Sequence, residues 1–299
     1  MNLFIFGLGY SVTHFVARHC NEFVSIAGTV RGGDKAARLS DEGVEAFVWD
    51  GQSFDERIAA ALADSDEIIV SIPPGADGDP VVRNFAEAIR AAPLLRTIVY
   101  LSTIGVYGDR GGDWVSEDAP LQPVNERSRF RVRAEREWMA LAEHCGVNLH
   151  ILRLAGIYGP GRNAFENLRK GNAKRVIKPG QVFNRIHVED ISRTIAACLE
   201  RASRGEIAVW NVADNEPAPP QDVVCFAADL LGVDPPPEIA FADADMTPMA
   251  RSFYSDNKRV SNAALREDLG VDLACPTYRE GLRDIAASDG ILQRAVQAP

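Results

Sequence analysis

The chain has 299 residues, enough to bury a substantial core as one large domain or two unequal lobes. Its 46% hydrophobic and 25% charged residues are those of an ordinary globular protein, and a net charge of −10 gives a nucleic-acid partner no electrostatic support. No apolar run approaches the roughly 20 residues of a membrane span, and no basic region precedes the short N-terminal apolar run, so neither a membrane segment nor a signal peptide is expected.

Strand and helix patterns alternate from the start. Leu3-Phe4-Ile5-Phe6 is a strand that ends abruptly in Gly7-Leu8-Gly9-Tyr10-Ser11, and Val12 to Cys20 follows with helical spacing. In this strand, turn and helix, Gly7 takes backbone angles closed to other residues and Gly9 leaves the backbone bare. The helix end behind them offers N–H groups to a phosphate, so Gly7, Leu8, Gly9, Tyr10 and Ser11 are expected to cradle a pyrophosphate. Val12 stands where the dinucleotide fingerprint has its third small residue.

Further strands are expected at Phe23–Val30, Val44–Trp49, Glu67–Ile72 and Thr97–Ser102, with helices starting at Lys35 and covering Phe54–Leu62 and Val81–Ala92. These strands are apolar throughout, as parallel strands covered on both faces are. Asp109 to Pro123 reads as a loop, Glu126–Cys145 as a long charged helix, and Val147–Leu154 as a sixth strand. A glycine-rich loop at Gly156–Asn163, an extended piece at Arg185–Val188, a helix at Glu189–Arg201 and a strand at Ile207–Ala213 come next. Helices at Asp222–Leu231, Asn262–Leu269 and Thr277–Ala287 close the chain. Repeated βα units predict an α/β fold, a doubly wound parallel sheet of the Rossmann type with a smaller C-terminal substrate lobe. The core is expected in residues 1–155, completed by about 184–214, with 156–183 and 215–299 forming the lobe.

The five cysteines are scattered without Cys-x-x-Cys pairing, which fits free thiols and a cytoplasmic setting. The histidines are dispersed, and no cluster suggests a metal. At the end of the second strand an NAD site carries Asp or Glu, whereas this chain has Arg31, which can pair with a 2′-phosphate. NADP(H) is therefore favoured, with NAD(H) left open by the nearby Asp34. Asp50 is placed to accept a bond from the adenine amino group, or to cap its own turn. Ser71, Ile72 and Pro73 are placed to pass beside the ribose and pyrophosphate.

Taken in order, five segments resemble the extended or atypical branch of the short-chain dehydrogenase/reductase superfamily, which contains the NAD-dependent epimerases and dehydratases of nucleotide sugars. They are Gly7-Leu8-Gly9; Tyr100 to Asp109 (YLSTIGVYGD); Leu152 to Arg162 (LRLAGIYGPGR); Arg185 to Asp190 (RIHVED); and Trp210 to Asp214 (WNVAD). The segments Lys258-Arg259-Val260-Ser261 and Tyr278 to Leu282 resemble the family's closing helices.

The resemblance implies that Thr103 hydrogen-bonds a substrate oxygen. It implies a Tyr-x-x-x-Lys on the long helix, the Tyr as general acid/base and the Lys holding the nicotinamide ribose. Counting back from Ala134-Glu135 puts Arg127 and Arg131 at those places, and no tyrosine lies between Gly108 and Tyr158. Arginine cannot act as a base, although Arg131 can hold the ribose. Tyr107 is the expected substitute and Tyr158 a second; both also read as packing residues. Arg153, Arg162 and Arg185 are expected to converge and grip a carboxylate or phosphate, and His187 to form a wall of the substrate site.

The resemblance implies an NAD(P)-dependent oxidoreductase or epimerase/dehydratase-like enzyme acting on a sugar-nucleotide or similar hydroxyl/carbonyl compound. The missing Tyr-x-x-x-Lys keeps open an NADP(H)-binding sensor without turnover and, behind it, a structural protein that has lost the cofactor. A homodimer through Glu126–Cys145 and Val81–Ala92 is also expected, with Trp138, Met139 and Leu141 on its face or else packed on the sheet.

Overall fold

The computed structural model describes residues 1–290, so the end of the expected C-terminal lobe, 291–299, lies outside the described residues. The first half runs β1 (Asn2–Phe6), α1 (Tyr10–His19), β2 (Ser25–Val30), α2 (Gly33–Asp41), β3 (Glu45–Val48), α3 (Glu56–Ala63), β4 (Glu67–Val70), α4 (Pro80–Ala91) and β5 (Thr97–Thr103). A short β6 (Trp114–Val115) precedes α5 (Glu126–Cys145) and β7 (Asn148–Leu154). Then come β8 (Gly156–Tyr158), α6 (Ala164–Arg169), β9 (Arg175–Ile177), β10 (Arg185–His187), α7 (Val188–Glu200) and β11 (Ile207–Val212). The last stretch holds α8 (Pro220–Leu231), β12 (Glu238–Ala240), α9 (Pro248–Ser252), β13 (Arg259–Val260), α10 (Ala263–Glu267) and α11 (Tyr278–Ser288).

Seven parallel strands form the central sheet in the order β3-β2-β1-β4-β5-β7-β11. The chain starts in the middle, winds out to β3, returns beside β1 and winds out to β11. Strand order therefore reverses between β1 and β4, and a ligand crevice is expected beyond the carboxyl ends there. The apolar composition of the strands follows from cover on both faces. On β1, Leu3 and Ile5 pack into the layer of α1, α2 and α7, whereas Phe4 and Phe6 face α3, α4 and α5. This is the α/β doubly wound architecture.

The helices that frame the crevice have identifiable ends. Asp79 caps α4 by accepting from the N–H groups of Val81 and Val82, with Pro80 in the first turn. Asn125 caps α5, and Gly146 ends it in the left-handed region. On α5, Trp138 and Leu141 are buried against the sheet beside the partly buried Met139. Of the two placements open to these side chains, Trp138 and Leu141 take the packing on the sheet.

Seven short elements escaped the sequence pattern, namely β6, β8, α6, β9, β12, α9 and β13. Each spans two to six residues, too few to repeat a helical or alternating period. The expected loop at Gly156–Asn163 contains β8, whose partner is β10. Helices α6, α8 and α11 share a separate small core with Tyr158, Phe165 and Tyr278, while β9 and β12 pair beside Tyr254.

Candidate cofactor and substrate site

The turn after β1 is tied in several directions. Gly7 has φ of 91° and donates its N–H to Thr29 Oγ1 at 2.9 Å. Leu8 N donates to the Thr29 carbonyl at 2.9 Å, and the Ser71 hydroxyl donates to the Gly7 carbonyl at 2.6 Å. A Cβ on Gly7 would lie 2.9 Å from Ile72 Cγ1, so glycine is required by both angle and space. Gly9 gives α1 no side-chain cap, and a Cβ on it would meet nothing closer than 3.9 Å. The first N–H groups of α1 thus stay available to an anion. Val12 faces away from that space, fully buried in the core, which explains why a small residue is not needed there.

Beyond this turn lies a groove of about 510 Å³. It is lined by Gly7, Leu8, Gly9, Arg31, Asp50, Ser71, Ile72 and Pro73, which the sequence marks as candidate cofactor residues, and also by Lys35, Trp49 and Arg83. Asp34 is exposed and does not line it. Lys35 Nζ donates to the Leu8 carbonyl at 2.5 Å, which places a second cation in the groove at the glycine turn. The signal for Lys35 was its place four residues after Arg31, in the first turn of α2. Asp50 uses Oδ1 to accept the Gln52 N–H at 2.9 Å, leaving its other oxygen to the groove. Ser11 is buried, and Tyr10 stands beside the groove with its hydroxyl on the Pro160 carbonyl at 3.0 Å.

A second set of residues lies at the carboxyl end of β5. Thr103 is partly exposed, and its hydroxyl oxygen accepts the Gly105 N–H at 3.1 Å, so its own proton is free to be donated outward. Arg131 reaches the same strand end, donating to the Tyr100 hydroxyl and the Leu101 carbonyl, both at 2.9 Å. Arg131 does not line the groove of the glycine turn. Tyr107 is different. It is fully buried, donates to Asn211 Oδ1 at 2.6 Å and accepts from Arg153 at 2.8 Å. Burial pushes its hydroxyl above the ordinary tyrosine range, against the neighbouring Arg153. In this structure both hydrogen-bond partners of the Tyr107 hydroxyl are protein groups and its side chain is closed to solvent, an arrangement that does not favour the expected acid/base role.

Arg153 itself closes a buried ion pair with Glu135 at 2.9 Å, and Glu135 also accepts from the Ser102 hydroxyl. The three arginines do not converge. Arg153 is in this buried network. Arg162 lies over the Tyr10 ring at 5.8 Å, near the glycine turn. Arg185 donates to the carbonyls of Phe183 and Ala218 at 3.0 and 3.1 Å in the C-terminal part.

Tyr158 and His187 are likewise not walls of an open site. Tyr158 is buried, its hydroxyl pushed strongly up by burial and set 3.4 Å from the Thr277 carbonyl. His187 is buried and caps α7, Nδ1 accepting the Glu189 N–H at 3.3 Å. Burial lowers it to about 4, so the ring is neutral. It stands near Asp190 and Cys275. With Nδ1 accepting, Nε2 carries the proton, and both Asp190 oxygens take backbone N–H groups of Ala274 and Cys275. Asp190 thereby holds the start of α7 to the C-terminal segment, whereas His187 Nε2 is buried with no hydrogen-bond partner among the described residues.

A glycine turn at a helix end, a groove at the strand-order reversal and cations at the end of β2 define a dinucleotide-binding protein of doubly wound fold. The chain belongs to the NAD(P)H-binding family, whose model matches residues 11–202. It is similar to Protein YeeZ of Escherichia coli K12, 30% identical over 225 residues that cover 70% of this chain and 75% of that one. It is also similar to a 3-diazoavenalumate denitrifying reductase of a Streptomyces species, 27% identical over 212 residues covering 67% of each. Among solved structures, a functionally unknown conserved protein from Silicibacter pomeroyi DSS is 44% identical, with a TM-score of 0.86 over 96% of this chain and 99% of that one. UDP-glucuronic acid 4-epimerase from Bacillus cereus, in complex with NAD, shares the fold at 18% identity and a TM-score of 0.76, over 98% and 97% of the two chains. No helix of the described residues is long and apolar enough to cross a membrane.

Proposed function

We propose that the protein is an NADP(H)-dependent oxidoreductase acting on a small hydroxyl or carbonyl compound. The observation that carries this reading is the groove beyond β1 and β4, which Arg31 and Lys35 both line while the exposed Asp34 stays outside. Two cations at that place suit a ribose 2′-phosphate, which a carboxylate there would repel. The free N–H groups at the start of α1 suit the pyrophosphate.

The dinucleotide, when bound, supplies or takes up hydride. The residues of this chain orient the partner. Thr103 donates a hydrogen bond to the substrate oxygen. Arg131, which reaches from α5 to the Leu101 carbonyl two residues before Thr103, supports the ribose on the nicotinamide side. With Tyr107 and Tyr158 buried, the proton is exchanged with solvent water at the open end of β5. The similarity to a denitrifying reductase supports reduction as the reaction class, and the epimerase fold leaves nucleotide sugars as substrates to be tested.

A second reading, an NADP(H)-binding sensor without turnover, is favoured by one observation: no tyrosine of the expected kind faces the β5 end. Turnover separates the two. NADPH oxidation is followed over carbonyl compounds and nucleotide sugars, with Thr103→Ala beside the wild type. The enzyme reading predicts turnover that falls about a hundredfold in the variant, the scale of one lost hydrogen-bond donor. Tight NADPH binding with no turnover on any compound supports the sensor instead.

A further inference from the structure

Three arginines, Arg127, Arg129 and Arg131, stand in the first two turns of α5, where the helix dipole disfavours cations. Arg127 and Arg131 are one turn apart on the same face, a spacing at which like charges weaken a helix. Among the described residues none of the three is in an ion pair, whereas Arg133, further along, pairs with Glu137 at 2.7 Å. Glu126 is adjacent in sequence and therefore turned away from the face that carries Arg127 and Arg131.

The place of this face is fixed. Arg131 is held by the neutral Tyr100 hydroxyl and Leu101 carbonyl, two residues before Thr103. Ser128 packs so closely on Gly105 that a Cβ there would lie 2.9 Å from its Oγ. The turn carrying Arg127 is thus pressed against the loop that follows Thr103. Arg127 is exposed there and makes no hydrogen bond among the described residues. In a chain of net charge −10, this is a local reversal of sign at the carboxyl end of β5. Arg131 is compensated within the protein by the Tyr100 hydroxyl and the Leu101 carbonyl, whereas Arg127 has no such partner among the described residues, and a local rule broken without compensation points to an external one.

We propose that Arg127 binds an oxyanion group of the substrate, a carboxylate or phosphate carried next to the carbon that lies against Thr103, with Arg131 adding charge behind it. The proposal rests on the oxidoreductase reading for the position of the reacting carbon, and it adds the substrate class: small acidic carbonyl compounds.

The test is equilibrium binding of oxamate and, separately, inorganic phosphate, each with and without saturating NADPH. It uses wild type, Arg127→Gln, Arg127→Lys and, as a charge-matched control on the same helix, Arg136→Gln. Binding of at least one probe is expected, at least tenfold weaker in Arg127→Gln, partly restored in Arg127→Lys and within twofold of wild type in Arg136→Gln. No binding of either probe at millimolar concentration overturns the proposal, as does equal weakening in Arg127→Gln and Arg136→Gln, which would mark a diffuse field. NADPH titration of the same wild-type sample reports separately on the cofactor reading: its failure removes that reading while the anion measurement still decides on Arg127. Far-ultraviolet circular dichroism of each variant identifies any loss through misfolding, and the exposed Arg127 is expected to tolerate both changes.

Discussion

Gly7 is the residue at which angle, space and ligand coincide. Its φ of 91° and the 2.9 Å approach of Ile72 leave no room for a side chain. Gly7→Ala is expected to cost about 1–3 kcal/mol of stability, the range for a strained backbone position, and to weaken NADPH binding at least tenfold in a fluorescence titration. An unchanged urea midpoint together with unchanged affinity would contradict the description of the turn. Lys35→Met is expected to weaken NADPH about tenfold and leave NADH within twofold, because only the former carries the 2′-phosphate. At this scale the sequence was informative where a residue type is forced. Gly7 and Gly9 announce a turn, and Arg31 a change of charge where an acid would select NAD. It was silent on Thr29, whose hydroxyl takes the Gly7 N–H, since any strand residue could have stood there. It misled on Tyr107, because the sequence does not say whether a residue after a strand end turns outward or inward. The partners that draw it in, Arg153 and Asn211, come from strands 46 and 104 residues further on.

Helix α5 joins the β5 end to the core through Glu135. This carboxylate, buried beside β7, pairs with Arg153 and accepts from Ser102, the residue before Thr103. Glu135→Gln leaves a buried guanidinium without its counter-charge, and a loss of about 3–5 kcal/mol is expected. Arg153→Met in the same background should recover part of it, since the unpaired charge is then gone. Urea unfolding of the two single variants and the double variant checks this; purely additive losses would mean that the pair does not act as a unit. The limits of α5 were readable from sequence, because twenty residues repeat the helical period several times. Among the elements missed, α6, β9 and β12 owe their form to contacts with residues distant in sequence around Tyr254 and Tyr278, which local periodicity does not encode.

For the whole molecule, the alternation of strand and helix made the doubly wound class legible, and the strand order followed only once pairing was seen. The two ends of the sheet differ chemically. The carboxyl end holds the groove, whereas Glu67 lies buried at the opposite, amino end of β4. Burial pushes its carboxyl up to about 7, against the pull of Thr97 and Arg96. Asp214, also buried, is pushed up to about 8. A carboxyl with a raised folded-state pKa contributes its full stability below its unfolded value, and that contribution is lost as pH rises through the folded value. The urea midpoint is therefore expected to fall as pH rises from about 4 to about 8, between the unfolded and folded values of the two groups, and Glu67→Gln should flatten the part below 7. A midpoint that rises over this range would contradict the burial of both groups. NADPH affinity is expected not to follow Glu67, which is separated from the groove by the length of β4.

Under the proposed function, the groove beyond β1 and β4 takes a dinucleotide carrying a 2′-phosphate. The most direct measurement is a paired fluorescence titration of the wild-type protein with NADPH and NADH at one ionic strength. The account predicts that NADPH binds at least tenfold more tightly, and that Arg31→Ala brings the two affinities together. Tighter binding of NADH, or no binding of either below millimolar concentration, would contradict it.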